Sequence, residues 1–259
     1  MLSAVAFVLL AACSTADPPD PTIGWTPERL YAEARDELAS GNRQAAIKLL
    51  EKLESRYPFG HWAEQAQLDI AWAQFKDNER ALSLAAIDRF MKLHPNHPAL
   101  DYALYLKGLV NFNEQEGLLA RFGNQDLSER DQAALRESFD AFKELVTRFP
   151  DSKYAPDAEA RMRYLVNSMA RGKVHIARYY YSRGAYVAAA NRAQEVIRDY
   201  QEAPALEEAL YLLVRSYEKL GLDDMRADAE RVLRRSFPNS ELLTKGFPED
   251  DRRWWQVWR

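Results

Sequence analysis

The sequence predicts an all-α protein, an α-solenoid of about five helix pairs. Three observations point to it. From Thr26 onward, apolar and small residues recur at helical spacing, beginning with Leu30, Ala34, Leu38, Ala45, Ala46, Leu49, Leu50 and Leu53, the pattern of amphipathic helices. No segment shows a strand-like alternation of apolar and polar residues. Helix endings of one type return along the chain, at Tyr57-Pro58, His94-Pro95, Phe149-Pro150 and Phe237-Pro238.

Pro58 and Pro95 lie close to one tetratricopeptide (TPR) period apart, roughly 34 residues. A TPR needs a small residue where its helices cross, a turn glycine, a second small residue and a closing proline. The first unit opens at Thr26-Pro27-Glu28, with a capping hydroxyl, a proline at the first helical position and an acid at the positive dipole end. Ala34, Gly41 and Ala46 then fill the motif positions before Pro58. The second unit is degenerate, keeping Ala71 but placing Ser83 at the second small position. The third carries an insertion over about Glu114 to Asp131 and ends at Pro150. The fourth opens with a long helical pattern from Pro156 to Arg183, with Ala177, Tyr180, Gly184, Tyr186 and Ala189 before Tyr200. The fifth has Tyr217, Gly221 and Pro238.

The predicted repeats run about 26–58, 62–95, 99–150, 154–203 and 204–238, within an array assigned to 26–240. Residues 241–259 form a Trp-rich tail in which Trp254, Trp255 and Trp258 share one face of a short helix, either capping the last repeat or docking a partner or membrane. A generic α-bundle is the plainer alternative. TPR arrays stack into superhelices with an extended concave surface and polar end caps.

Ahead of the array, Leu2 to Ala12 is too short to span a bilayer, which takes about 20 apolar residues. It has the length of a signal-peptide apolar core, so residues 1–12 are assigned as a signal peptide, although no Lys or Arg precedes the core. Leu10-Ala11-Ala12-Cys13 is similar to a bacterial lipobox, in which the cysteine is acylated and becomes the mature N-terminus. Cys13 is the only cysteine, which excludes an intramolecular disulfide. The competing reading is a buried free cysteine. In lipoproteins of Gram-negative bacteria, Ser14 rather than Asp after the cysteine implies sorting to the outer membrane. Residues 13–25 are assigned as a lipidated N-terminus and Pro-rich linker, a semi-extended tether reaching roughly 35 Å.

The 259 residues carry 29% charged side chains and a net charge of −4, so no global basic field recruits nucleic acid. Candidate catalytic motifs fail on inspection. His94-Pro95-Asn96-His97 lies in an inter-repeat turn without a third ligand nearby. Gly172-Lys173 lacks the rest of a phosphate loop, since Asn167 replaces its glycine and Val174 its Ser/Thr. The reading is a binding scaffold, with no enzyme activity, cofactor or metal.

The first helix of each TPR pair lines the concave face. Counting inward positions gives Tyr31 and Arg35, then Leu68, Trp72, Phe75 and Lys76, then Tyr102, Tyr105 and Phe112. Aromatic rings offer contact area at low entropy cost, and Arg or Lys grips carboxylates. The groove is expected to bind an extended peptide with aromatic side chains and a free C-terminus. The alternative for each aromatic is helix-packing core.

Several strings go beyond a generic TPR: Arg56-Tyr57-Pro58-Phe59-Gly60; Ala85-Ala86-Ile87-Asp88-Arg89-Phe90 with His97-Pro98 and Asp101-Tyr102; and Tyr179-Tyr180 through Arg183-Gly184-Ala185-Tyr186 to Asn191-Arg192 and Arg198-Asp199-Tyr200. Together they resemble the BamD family, lipoproteins of the outer-membrane β-barrel assembly (Bam) complex, over about residues 28–203. The likeness fades after Glu202. The resemblance implies a scaffold lipid-anchored on the periplasmic face of the outer membrane. Its implied partners are the last POTRA domain of BamA, other Bam lipoproteins, and unfolded outer-membrane proteins recognised by their C-terminal β-signal. It implies that Arg192 contacts the POTRA domain and that Tyr57 sits where substrate is handled. The rival functions are another TPR envelope lipoprotein, serving cell division or peptidoglycan synthesis, and a hydrolase using surface carboxylates.

Overall fold

The computed structural model describes residues 20–112 and 132–246. Cys13, the Glu114–Asp131 insertion and the tryptophans of the tail lie outside these residues. Eleven helices are described, and no strand occurs among the described residues. In chain order they are α1 (Pro27–Ala39), α2 (Arg43–Arg56), α3 (His61–Lys76), α4 (Arg80–Leu93), α5 (Leu100–Phe112), α6 (Gln132–Arg148), α7 (Ala155–Ser182), α8 (Tyr186–Asp199), α9 (Leu206–Leu220), α10 (Asp223–Ser236) and a single turn, α11 (Leu242–Lys245).

The helices follow one another as pairs built on one local plan. Thr26 caps α1 through its hydroxyl, which accepts from the Arg29 amide at 3.4 Å, and Pro27 occupies the first turn. Each of the four turns inside the pairs among the described residues pivots on a residue with positive φ: Gly41 (82°), Asn78 (62°), Gly184 (75°) and Gly221 (69°). Asn78 explains how the degenerate second repeat keeps its turn without glycine, since Asn tolerates the left-handed region better than other side chains. Each second helix ends alike. The amides of Tyr57, His94, Phe149, Tyr200 and Phe237 donate to the carbonyls of Leu53, Phe90, Leu145, Val196 and Leu233. All five acceptor residues have side chains fully buried, so every terminal turn is fastened to the core.

The helices cross at small residues. Ala34 and Ala46, and Ala177 and Ala189, are fully buried. In the third pair the crossing uses Gly108 and Ser138, whose hydroxyl donates to the Gly108 carbonyl at 2.9 Å. A Cβ on Gly108 would lie 2.3 Å from the Phe142 ring, so this approach excludes any side chain.

The chain divides into two compact units, Met1–Ala73 and Gln74–Arg259. The core of the first is Leu30, Ala34, Leu50, Leu53, Ala63, Ala66 and Ile70, edged by Trp25, Tyr31, Tyr57 and Trp62. The second is centred on Phe142, Leu145, Leu165 and Leu212, all fully buried. No helix among the described residues is long and apolar enough to cross a membrane.

One expectation changes. The linker was expected to be semi-extended up to residue 25, but residues 20–25 are pinned to α2. Lys52 donates to Asp20 Oδ1 at 2.8 Å, and Arg56 donates to Asp20 Oδ2 and to the Thr22 carbonyl, each at 2.5 Å.

Candidate peptide-binding and partner-binding surfaces

In the first unit the predicted Tyr31 and Arg35 meet at a carboxylate that sequence reasoning missed. The Tyr31 hydroxyl donates to Asp69 Oδ2 at 2.8 Å, and Arg35 stands 3.6 Å from the same oxygen. Gln65 donates to the other oxygen at 3.2 Å. Asp69 is only 7% exposed, and these three donors replace the water it loses. Burial and the hydrogen bond to the Asp69 carboxylate push the Tyr31 hydroxyl well above the usual phenol range. Its ring leans on Trp62 with centroids 4.9 Å apart, and Trp62 donates to Glu28 at 3.1 Å. The Arg35 side chain keeps 56% exposure and only a loose ion pair with Asp69.

Trp72, half-buried, falls three residues after Asp69 on α3 and shares its face. Leu68 does not: it is 1% exposed, because its position on the helix faces the interior. The expectation that it lines the groove is therefore corrected to a core residue. Tyr57 packs on the same core as Tyr31 and Trp62 and donates its hydroxyl to the Trp25 carbonyl at 2.8 Å, fastening the entry into α1.

In the second unit the same chemistry recurs. The Tyr105 hydroxyl donates to Asp157 Oδ2 at 2.7 Å, and Arg161 donates to that oxygen at 2.6 Å. Burial and the hydrogen bond to Asp157 raise the Tyr105 hydroxyl. Burial opposes ionisation of Asp157, but the hydrogen bonds from Arg161 and Tyr105 outweigh it and lower the carboxyl. Tyr105 stacks on Tyr154 at 4.7 Å and 18°, while Tyr102 leans on Tyr154 at 5.7 Å. Phe112 is corrected in the same way as Leu68. It is 7% exposed, packed in the core, with Arg161 above its ring at 4.9 Å. Phe75 and Lys76 also fall in this unit, half-buried, with the Lys76 ammonium 5.6 Å from the Phe75 centroid.

Tyr31, Arg35 and Trp72 thus belong to one cluster, Tyr102 and Tyr105 to another, each arranged around an aspartate from the next first helix. Asp69, Asp157, Tyr154 and Arg161 were missed. The available signal was their spacing: Gln65, Asp69 and Trp72 at four and three residues, and Asp157 and Arg161 at four.

Arg192 lies on α8, its side chain 44% exposed. It donates to Glu195 Oε1 at 2.6 Å, while Lys173 from α7 donates to Oε2 at 2.7 Å. The hydrogen bond from Lys173, then the charge of Arg192, holds the Glu195 carboxyl below its usual range. The two cations sharing one acid make a positive point on the surface. Next to it Arg198 pairs with its neighbour Asp199.

The His94 and His97 rings both lie 5.1 Å from Phe90, and His97 Nδ1 accepts from the Ala99 amide at 3.0 Å. That nitrogen serves the turn. Among the described residues no group of three His, Cys, Asp or Glu is placed to hold a metal.

Residues 25–233 match the YfiO family, described as outer membrane lipoprotein. The outer membrane protein assembly factor BamD of Neisseria meningitidis serogroup A (strain Z2491) is 51% identical over 253 residues, 96% of this chain and 95% of that protein. The protein of the same name from Neisseria gonorrhoeae is 50% identical over the same shares. That from Vibrio cholerae is 39% identical over 85% of this chain and 90% of its own length.

Proposed function

The chain belongs to the BamD family of outer membrane lipoproteins, and on that premise we propose that it is a non-enzymatic scaffold for β-barrel assembly, anchored at the periplasmic face of the outer membrane through acylated Cys13. In this reading Arg192 engages the last POTRA domain of BamA. The aromatic faces around Asp69 and Asp157 take the C-terminal β-signal of unfolded outer-membrane proteins, and other Bam lipoproteins join the assembly.

The observation that carries the reading is the repeated tyrosine–aspartate–arginine arrangement, Tyr31–Asp69–Arg35 and Tyr105–Asp157–Arg161. It holds aromatic rings rigidly on the first helices while leaving Arg35 partly free. A rigid aromatic surface with an available cation suits a peptide ending in an aromatic residue and a carboxylate. The free energy for insertion comes from client folding.

The test is binding of a synthetic β-signal peptide to the purified protein. Trp72→Ala and Phe75→Ala should each weaken it roughly tenfold, the scale of a contact hot spot. Wild-type affinity in both variants overturns the peptide assignment. Co-purification from membranes should bring down BamA. Recovery of cell-division or peptidoglycan-synthesis proteins in its place overturns the Bam assignment.

A further inference from the structure

The end of the first unit where the chain enters α1 carries features that peptide and BamA binding do not use. The segment from Asp20 to Trp25 is folded by two turns, Ile23 N to Asp20 O and Trp25 N to Thr22 O, each 3.1 Å. Lys52, Arg56 and Tyr57 hold it from outside. On this locked segment the Ile23 side chain is 70% exposed. Two residues beyond Tyr57, Phe59 is 91% exposed, in a turn set by Gly60 at φ 97°. Scattered exposed apolar side chains are ordinary. Here two large ones stand on fixed turns joined to each other through Arg56 and Tyr57.

Beside them α2 carries a shallow surface depression of about 440 Å³ lined by Lys48, Glu51, Lys52, Ser55 and Arg56. With Asp20 included, three cations face two acids. Exposed apolar side chains bordered by a small excess of positive charge have the chemistry of an interfacial membrane contact.

The chain also limits where this end can be. Asp20 comes seven residues after Cys13. An extended chain covers at most about 3.6 Å per residue, so the clamp on Asp20 lies within about 25 Å of an acylated Cys13. A protein unit held that close to a bilayer presents its tether-entry end to it.

We propose that this end is a membrane-contact surface. Ile23 and Phe59 enter the headgroup region of an anionic phospholipid bilayer, and Lys48, Lys52 and Arg56 face its phosphates. The proposal rests on the reading of Cys13 as acylated. The contact orients the first unit on the membrane, which acyl chains on a free tether cannot do.

The test uses the mature lipoprotein, in which acylation of Cys13 leaves no native thiol free. Nitroxide labels are placed singly at Ile23→Cys, Phe59→Cys and Ser40→Cys. Ser40 follows α1, whose 13 residues put it about 20 Å along the helix from the entry end. In vesicles of phosphatidylethanolamine and phosphatidylglycerol, relaxation by oxygen and by a water-soluble nickel chelate reports depth. The labels at 23 and 59 should favour oxygen severalfold over the label at 40. Equal nickel accessibility at all three positions overturns the proposal. Replacing phosphatidylglycerol with phosphatidylcholine, or Lys48→Glu, should shift both labels toward water, and a depth indifferent to both overturns the anionic-lipid assignment. Mass spectrometry of the same sample separates the two readings. Acylated protein with wet labels removes the surface contact alone, and protein without acyl chains removes the anchor and the contact together.

Discussion

The Tyr105 hydroxyl on α5 donates to the Asp157 carboxylate on α7 at 2.7 Å, and Tyr31 does the same to Asp69 at 2.8 Å. In both places an arginine completes the carboxylate, Arg161 at 2.6 Å and Arg35 at 3.6 Å. A polar contact of the same composition therefore joins successive first helices in each unit.

Tyr105→Phe keeps the ring on Tyr154 and removes only the hydroxyl. A hydrogen bond to a charged group contributes about 1.5–3 kcal/mol, and partial exposure puts this one at the low end. The expected loss is about 1.5 kcal/mol, read as a lower urea midpoint with an unchanged slope. Asp157→Ala should cost more, because Arg161 loses its acceptor too. Unchanged midpoints in both variants remove the contact from the stability of the unit.

Gly108→Ala should destabilise by roughly 1–3 kcal/mol, the usual cost of overpacking a core. The added methyl meets the Phe142 ring at 2.3 Å, and that ring is fully buried with no space to swing. Phe142→Leu in the same background should return part of the loss. A melting temperature that Gly108→Ala leaves unchanged sinks the close-approach argument.

Asp20 is held below the usual carboxyl range first by the hydrogen bond from Lys52, then by the Thr22 amide and hydroxyl. Because its folded value is depressed, the clamp contributes fully above the unfolded aspartate value of about 3.9. That contribution is lost as pH falls below this value, toward the depressed folded one. A carboxyl NMR titration should find Asp20 protonating at lower pH than exposed aspartates, and Lys52→Met should move it upward. An ordinary midpoint in the wild type shows that the clamp does not persist in solution.

Arg192→Glu places an acid beside Glu195 and reverses the charge of the proposed POTRA contact. Binding to the isolated BamA POTRA domain should weaken at least tenfold, mainly through dissociation. Arg198→Glu, on the same helix with a side chain 73% exposed, is the comparison and should change binding less. Equal effects of the two variants indicate general charge attraction and remove Arg192 as a specific contact.

The repeat plan was readable because it is local. Turn glycines, crossing alanines and aromatic–proline endings act within a few residues, and the helices follow them. Asn78 and Tyr200 show how far that goes, since each performs the structural role without the expected glycine or proline. The candidate site was less readable because it depends on neighbours from another helix. Asp69 looks like any helix-face acid until Tyr31 and Arg35 from α1 close over it. Leu68 and Trp72 stand one turn apart on α3, yet one is core and the other half-buried. The pinning of residues 20–25 was hidden for the same reason: its ion pairs join positions 32 and 36 residues apart.

Glu195, shared by Lys173 and Arg192, bears on the kinetics of the proposed contact. An incoming carboxylate displaces an acid already in place, so no bare guanidinium has to wait in water. After the exchange Lys173 still neutralises Glu195, and no charge is stranded on the surface. The reverse exchange is equally open when the partner leaves. A junction made this way favours repeated engagement and release, as the proposed scaffold role would need between one client and the next.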